Sequence, residues 1–258
     1  MFRLILKGDH LQMKSKIVIN PKYQFLEKYI KQIPDHFQNL TEVLYNVRNV
    51  IKADEVSNVK LVIKSFHRNY LTNRIRYTFF HPSKAQRAYQ NGLVLIERGF
   101  LTPDPVAFLE LYKYGLLNQS FFVCLRTDFT KLEYHFTNGG EQLMKDLAVY
   151  TFNLHKSGIY HLDYSNGNIL CRKEGDHYQF SLIDNNRMKF GHFSYQRRLK
   201  NFRLLGLSHE NLTIVAREYA RLEGSDPEEA VEYLVLSEKK HSDRRKLRKK
   251  LKKSILNR

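Results

Sequence analysis

The 258 residues are 42% hydrophobic, enough for one large or two small domains with a full core. An excess of 43 Lys and Arg over 26 Asp and Glu gives a net charge of +17, which favours a polyanionic partner such as nucleic acid, anionic lipid or a phosphorylated substrate. Residues 238–258 hold +9 of that charge, and no RNA-binding or helix-turn-helix signature occurs, so a nucleic-acid surface spread across the fold is not expected. Cys124 and Cys171 have no Cys or His at metal-ligand spacing, which argues against a disulfide framework and a zinc site and is compatible with a reducing cytosol. Phe2–Leu6 is too short for a signal-peptide core and no run approaches the ~20 apolar residues of a membrane span, so a soluble or peripheral protein is expected.

In chain order, residues 1–12 carry little pattern, and Met13 is a candidate start. Tyr23, Leu26, Tyr29, Ile30 and Ile33 fall at helical spacing and predict a short surface helix that Pro34 stops. Leu40–Lys52 and Val59–Phe66 are rich in Val, Ile, Leu and Tyr, with Asp54–Asn58 as a polar connection, which predicts a hairpin. Near the end of its second strand, Val62-Ile63-Lys64 puts a lysine on a sheet. Ser83 can cap a helix carrying Ala85, Ala88, Tyr89, Gly92, Leu95 and Ile96 on one face, and Gly99, Pro103 and Pro105 mark its end. Val106–Lys113 and Ser120–Arg126 predict two more strands joined by a Gly-Leu-Leu-Asn turn. The sum is a five-stranded sheet flanked by one helix, with Asp128–Lys131 as a hinge.

Past Gly140 the pattern turns helical. Leu143, Leu147, Tyr150 and Leu154 form one stripe, and the helix runs straight into the stretch His155–Asn168. There His161, Asp163 and Asn168 stand at the spacing His-x-Asp-x-x-x-x-Asn. An Asp and an Asn five residues apart on a tight loop let one side chain accept a hydroxyl proton while the other holds a magnesium ion. Ile169–Arg172 and Gln179–Ile183 predict a small hairpin, and Asp184 follows it immediately. A helix begins after Ser208 and runs to Leu222, and Asp226-Pro227-Glu228-Glu229 combines an N-cap, a first-turn proline and acids suited to the helix dipole. From Lys239 on, Leu247, Leu251, Ile255 and Leu256 recur at helical spacing among cations. This tail could lie on an anionic membrane or remain solvated.

Lys64, Asp163, Asn168 and Asp184, in that order, with Tyr45–Asn49, Gly99–Pro105, His161–Asn168 and Ile183–Arg187 around them, resemble the protein-kinase-like fold and, more narrowly, the lipopolysaccharide kinase (Kdo/WaaP) family over roughly Lys16–Glu238. The resemblance implies an α+β, bilobal architecture: residues 1–126 as an N-lobe of antiparallel sheet and one helix, 127–238 as a mainly helical C-lobe, and 239–258 as a basic helix or tail. It implies transfer of the γ-phosphoryl group of ATP to Kdo or heptose of the lipopolysaccharide core, on the cytoplasmic side and at the inner face of the inner membrane. In that chemistry Asp163 would orient or deprotonate the sugar hydroxyl, Asn168 and Asp184 would hold Mg2+, and Lys64 would bind the α and β phosphates.

Departures narrow the kind of kinase. Residues 42–50 contain no glycine, so Arg48 or Asn49 would cover the phosphates in place of a glycine-rich loop. Asp184-Asn185-Asn186 stands where Asp-Phe-Gly is usual. No acid occurs between Ser83 and Leu95, and Gln90 takes the position expected for the helix glutamate that pairs with the lysine. These losses suit a glycan or small-molecule kinase better than a protein kinase. The alternatives are another small-molecule kinase, resembling aminoglycoside phosphotransferases or the RIO group, and a non-catalytic pseudokinase that binds membrane or a partner.

Overall fold

Strand β1, Lys14–Ile19, begins the described part of the chain; the computed structural model describes residues 14–47, 49–66 and 71–256. The first dozen residues therefore lie outside it, as does Arg48. Contacts divide the chain into two units. The first runs to Asp128 and takes in Asp184–Arg187; the second holds Phe129–Ile183 and the residues from Met188 onward.

In the first unit a 3-10 turn, Pro21–Leu26, leads into α1, Glu27–His36. Strands β2, Val43–Asn46, β3, Val50–Val56, and β4, Val59–Phe66, follow, then the helices α2, Leu71–Phe79, and α3, Lys84–Glu97. Strands β5, Pro105–Lys113, and β6, Leu116–Leu125, complete it. The sheet has six strands, not five, all antiparallel, in the order β1-β5-β6-β4-β3-β2. Four of them match the runs located in the sequence; the other two are β1, which pairs from Lys14–Tyr112 to Ile19–Ala107 along β5, and β2, split from the expected first strand. Both tight connections are shorter than the sequence suggests. Ser57 and Asn58 have φ of 51° and 60°, and Tyr114 and Gly115 have 54° and 73°, the backbone of two-residue hairpins whose twist matches that of the strands.

The helix around Pro34 is not a surface element. Tyr23, Leu26, Ile30, Ile33 and Phe37 are buried with Leu61, Ile63, Leu109, Phe121 and Val123 in one core on a sheet face. Pro34 lies inside α1, where it forgoes an N–H bond to the carbonyl of Ile30, a loss that the burial of Ile30 and Ile33 offsets. On α3, Ser83 caps as expected, its Oγ accepting from Gln86 N at 3.0 Å, and Ala85 and Tyr89 pack on Phe66 and Phe108. Gly92 lets this helix close on β5, since a Cβ there would stand 2.6 Å from Pro105 Cγ.

The second unit contains β7, Thr130–Lys131, α4, Gly140–Lys156, β8, Ile159–His161, β9, Ile169–Glu174, β10, His177–Leu182, and β11, Met188–Phe190. The helices α5, Tyr195–Leu199, α6, His209–Glu223, and α7, Pro227–Leu256, follow. β10, β9 and β7 form a three-stranded sheet, β8 pairs with β11, and α6 packs on both α4 and α7. The Leu143–Leu154 stripe is mostly buried as its spacing predicts. Ser208 caps α6, Asp226 accepts from Glu228 N and Glu229 N at the start of α7, and Gly224 ends α6 in the left-handed region. The basic segment from Lys239 continues α7 to Leu256. Among the described residues no helix is long and apolar enough to cross a membrane.

Candidate active site

In the second unit, α4 ends at Lys156 and the chain turns at Gly158 into β8, which delivers His161 to the loop His161–Asn168. The loop is set by a directional chain of buried hydrogen bonds. Arg198 Nη1 donates to Tyr219 Oη at 3.2 Å, and Tyr219 Oη bonds His155 Nδ1 at 3.0 Å. His155 Nε2 faces Asn201 Oδ1 at 3.0 Å, and Asn201 Nδ2 donates to the carbonyl of His161 at 3.1 Å. Because Asn201 Oδ1 only accepts, Nε2 of His155 carries the hydrogen and Nδ1 receives the tyrosine proton, so the chain closes with a neutral imidazole. Burial holds His155 down to a pKa of about 4, in keeping with that state. Arg198 is in turn anchored by Glu223, at 2.9 and 2.6 Å, which also lowers the pKa of Glu223.

The ring of His161 fixes two further points. Asp163 N donates to His161 Nδ1 at 3.1 Å, which leaves the hydrogen on Nε2, directed at the carbonyl of Ile183 at 3.3 Å. Asn168 Nδ2 donates to the carbonyl of Asp163 at 2.9 Å, and Ile183 N donates to the carbonyl of Asn168 at 3.0 Å. Beneath the loop the fully buried Tyr164 bonds Thr151 Oγ1 at 2.7 Å, while that hydroxyl donates to Leu147 O. Asp163 and Asn168 are thus brought together on a braced loop, and the amide bond of Asn168 turns its Oδ1 away from that contact.

In the first unit, Lys64 of β4 pairs with Asp184, 2.6 Å from Nζ to Oδ1, with the two side chains 13% and 28% exposed. Asp184 has φ of 58°, and Asn186 Nδ2 donates to the same Oδ1. Oδ2 takes part in neither contact. Asn185 is buried: its Nδ2 donates to Thr102 Oγ1 at 2.8 Å, its carbonyl accepts from Asn91 Nδ2 at 2.6 Å, and its Oδ1 finds no hydrogen-bond partner among the described residues. The donors suit magnesium, which takes a carboxylate and a neutral oxygen from protein and fills its other positions with phosphate and water. Asp184 Oδ2 and the orphaned Oδ1 of Asn185 in this unit, and Asn168 Oδ1 in the other, are each hard oxygen atoms of that kind.

Of the remaining candidates, Asn49 lies half-buried between β2 and β3, and Arg48 is outside the described residues. Gln90 does not meet Lys64. It points to the exposed side of α3, and Asn91, one position on, is the amide that reaches the Asp184–Arg187 segment. One residue of helix turns a side chain by ~100°, so a register shift of one is enough to exchange the two. No sequence signal marked Arg198, Asn201 or Tyr219, although the helical stretch around His155 and its own placement beside the loop could have marked that histidine for a buried partner.

The family model described as the Lipopolysaccharide kinase (Kdo/WaaP) family matches residues 39–224, a span that holds Lys64, Asp163, Asn168 and Asp184. Among solved structures the chain is similar to WaaP in complex with acyl carrier protein, at 18% identity and a TM-score of 0.61 over 88% of this chain and 98% of that one. It is also similar, at 16% identity and a TM-score of 0.47, to the Rio2 kinase-ADP/Mg2+-phosphoaspartate complex from Chaetomium thermophilum, over 84% of this chain and 68% of that one. No curated protein matches in sequence. The first structural likeness gives the chain a protein-kinase-like fold, with its antiparallel sheet first and its helices after.

Proposed function

The chain belongs to the lipopolysaccharide kinase (Kdo/WaaP) family, phosphotransferases that act on sugar hydroxyls, and we propose that Asp163 is the residue that receives the acceptor's proton. The donor is ATP and the acceptor a sugar of the lipopolysaccharide core; Kdo or heptose of the inner core suits a basic protein acting on an anionic glycolipid. The carboxylate of Asp163 takes the hydroxyl proton as the sugar oxygen bonds to the γ-phosphorus. The bond from that phosphorus to the bridging oxygen breaks, and ADP leaves with the electron pair. Lys64 balances charge on the α and β phosphates. Asn168 and Asp184 would hold magnesium, which when bound neutralises charge building on the phosphate oxygens.

The observation that carries this reading is the contact of Lys64 with Asp184. It joins residues 120 positions apart that only a phosphotransfer role had linked. The ammonium paired with this carboxylate carries the charge that the α and β phosphates would meet. The basic end of α7 would hold the enzyme on an anionic membrane at the cytoplasmic side, an association tested together with a second surface below.

Asp163→Asn should lower transfer of labelled γ-phosphate from ATP to purified lipopolysaccharide core by about 10²–10⁴-fold, with an unchanged thermal midpoint. Mass spectrometry of the core would show the missing phosphate. A wild-type rate from a folded variant would remove Asp163 as the base.

A further inference from the structure

Helix α2 is amphipathic in the wrong sense for a helix in water. Its half-buried face is Asn73, Arg74, Tyr77 and Thr78, and its exposed face carries Leu71, Ile75 and Phe79 at successive four-residue steps, continued by Phe80. Those four side chains are 61, 41, 67 and 73% exposed. None of the nine residues of α2 is buried. Polar groups attach it to the sheet: Arg74 donates to the carbonyls of Leu117 and Lys113 at 3.0 and 3.3 Å. Thr78 Oγ1 accepts from Leu117 N at 2.8 Å and donates to Arg74 O at 2.7 Å. The attachment fixes the rotation of the helix, so its apolar stripe is held outward.

The charge around the stripe has one sign. From Val56 to Ile96 the sequence has no Asp or Glu and seven Lys or Arg. The exposed Arg76 lies on α2, and the turn that Arg74 grips carries exposed Lys113 with its ammonium 5.5 Å from the ring of Tyr114, itself 72% exposed. Apolar side chains and ring-bearing residues flanked by cations, on a short helix rigidly presented, match the boundary between headgroups and acyl chains.

We propose that α2 with the Lys113–Tyr114 turn is a membrane-docking surface for an anionic bilayer, its Leu71, Ile75, Phe79 and Phe80 entering the acyl boundary while Arg76 and Lys113 meet lipid phosphates. This extends the peripheral association proposed for the end of α7 and rests on the reading of a membrane-facing enzyme, but its test involves no phosphoryl transfer.

The chain has no tryptophan, so Phe80→Trp places a lone indole on the stripe. In the full chain its emission should shift to the blue on adding phosphatidylcholine–phosphatidylglycerol vesicles and be quenched by brominated acyl chains. Pure phosphatidylcholine should have little effect. In a sedimentation assay, Ile75→Ser with Phe79→Ser should lower partition to the anionic vesicles by at least about tenfold, with helicity unchanged by circular dichroism. Truncation after residue 238 should weaken vesicle binding with a strong salt dependence yet leave the blue shift in whatever protein binds. Vesicle binding without any change at the indole would overturn the proposal and leave the α7 end as the sole anchor. A shift that follows protein concentration without lipid would overturn it in favour of a second copy of this chain, and one produced by an acidic protein but not by vesicles would overturn it in favour of a protein partner.

Discussion

His155, Ile159, Tyr160, His161 and Tyr164, which set the loop bearing Asp163, are all buried, whereas every residue of β2 from Val43 to Asn46, the strand beside the expected phosphate-covering turn, is exposed. In the first region position is determined before any ligand arrives: the hydrogen bonds run unbroken from Arg198 to the His161 carbonyl, and the donor directions leave one arrangement of protons. In the second, Val43, Leu44 and Tyr45 present apolar surface to water at a sheet edge, so shape there is left to what binds. The contrast separates two tasks. A proton acceptor must be held to a fraction of an ångström, while a cover over phosphates must admit and release its ligand.

The bracing of the loop is most readily undone at Asn201. Asn201→Leu keeps the volume but strands the Nε2 hydrogen of His155 and the carbonyl of His161. It should cost about 3 kcal/mol of stability in urea unfolding. A loss under about 0.5 kcal/mol would mean that the chain is ornamental to the fold.

An effect of comparable size is expected from pH. His155 has a folded pKa of about 4, below the ordinary value near 6.5, so the unfolded chain binds the proton more readily. The contribution of a neutral His155 is complete above pH ~6.5 and declines as pH falls toward 4, by roughly 3 kcal/mol in all. Glu223, with its pKa lowered by Arg198, adds a loss in the same direction at the acid end of that range. Urea unfolding across the range should show the slope, and His155→Leu should flatten it between pH 5 and 6.5; an equal slope in that variant would remove His155 as its source.

The smallest effect should come from the exposed strand. Leu44→Ser should change stability by no more than about 0.5 kcal/mol while raising the KM for ATP. A large destabilisation would show that β2 is as integral to the fold as the loop, and an unaltered KM would detach it from the nucleotide.

What could be read in the sequence follows the same division. Local signals announced α3 through Ser83, α4 through its Leu143–Leu154 stripe, the hairpin of β9 and β10, and the Asp163–Asn168 spacing, because each is complete within one turn or one ladder. Long-range partners were not announced. Lys64 meets Asp184, and Asn201 meets His155, by tertiary contact that no window of residues contains. β1 escaped because Lys14-Ser15-Lys16 reads as a polar lead-in until β5 supplies its ladder, and α1 was expected at the surface and ended at Pro34, whereas it is buried against the sheet and runs on to His36. α2 drew no reading because its apolar residues face outward and its attachment is made by Arg74 and Thr78 to backbone atoms of a distant turn.

Asp184 has a backbone as well as a carboxylate to maintain. At φ of 58° it occupies a region that glycine, asparagine and aspartate enter far more readily than other residues. Substitution by alanine therefore mixes two losses, metal ligand and backbone fit, while asparagine removes the charge alone and keeps the turn. The same constraint predicts the course of decay: a descendant of this chain that drifted out of catalysis without unfolding would carry Asn or Gly at position 184 before anything larger, so such a residue in a sister sequence would be the mark of an idle enzyme with an intact fold.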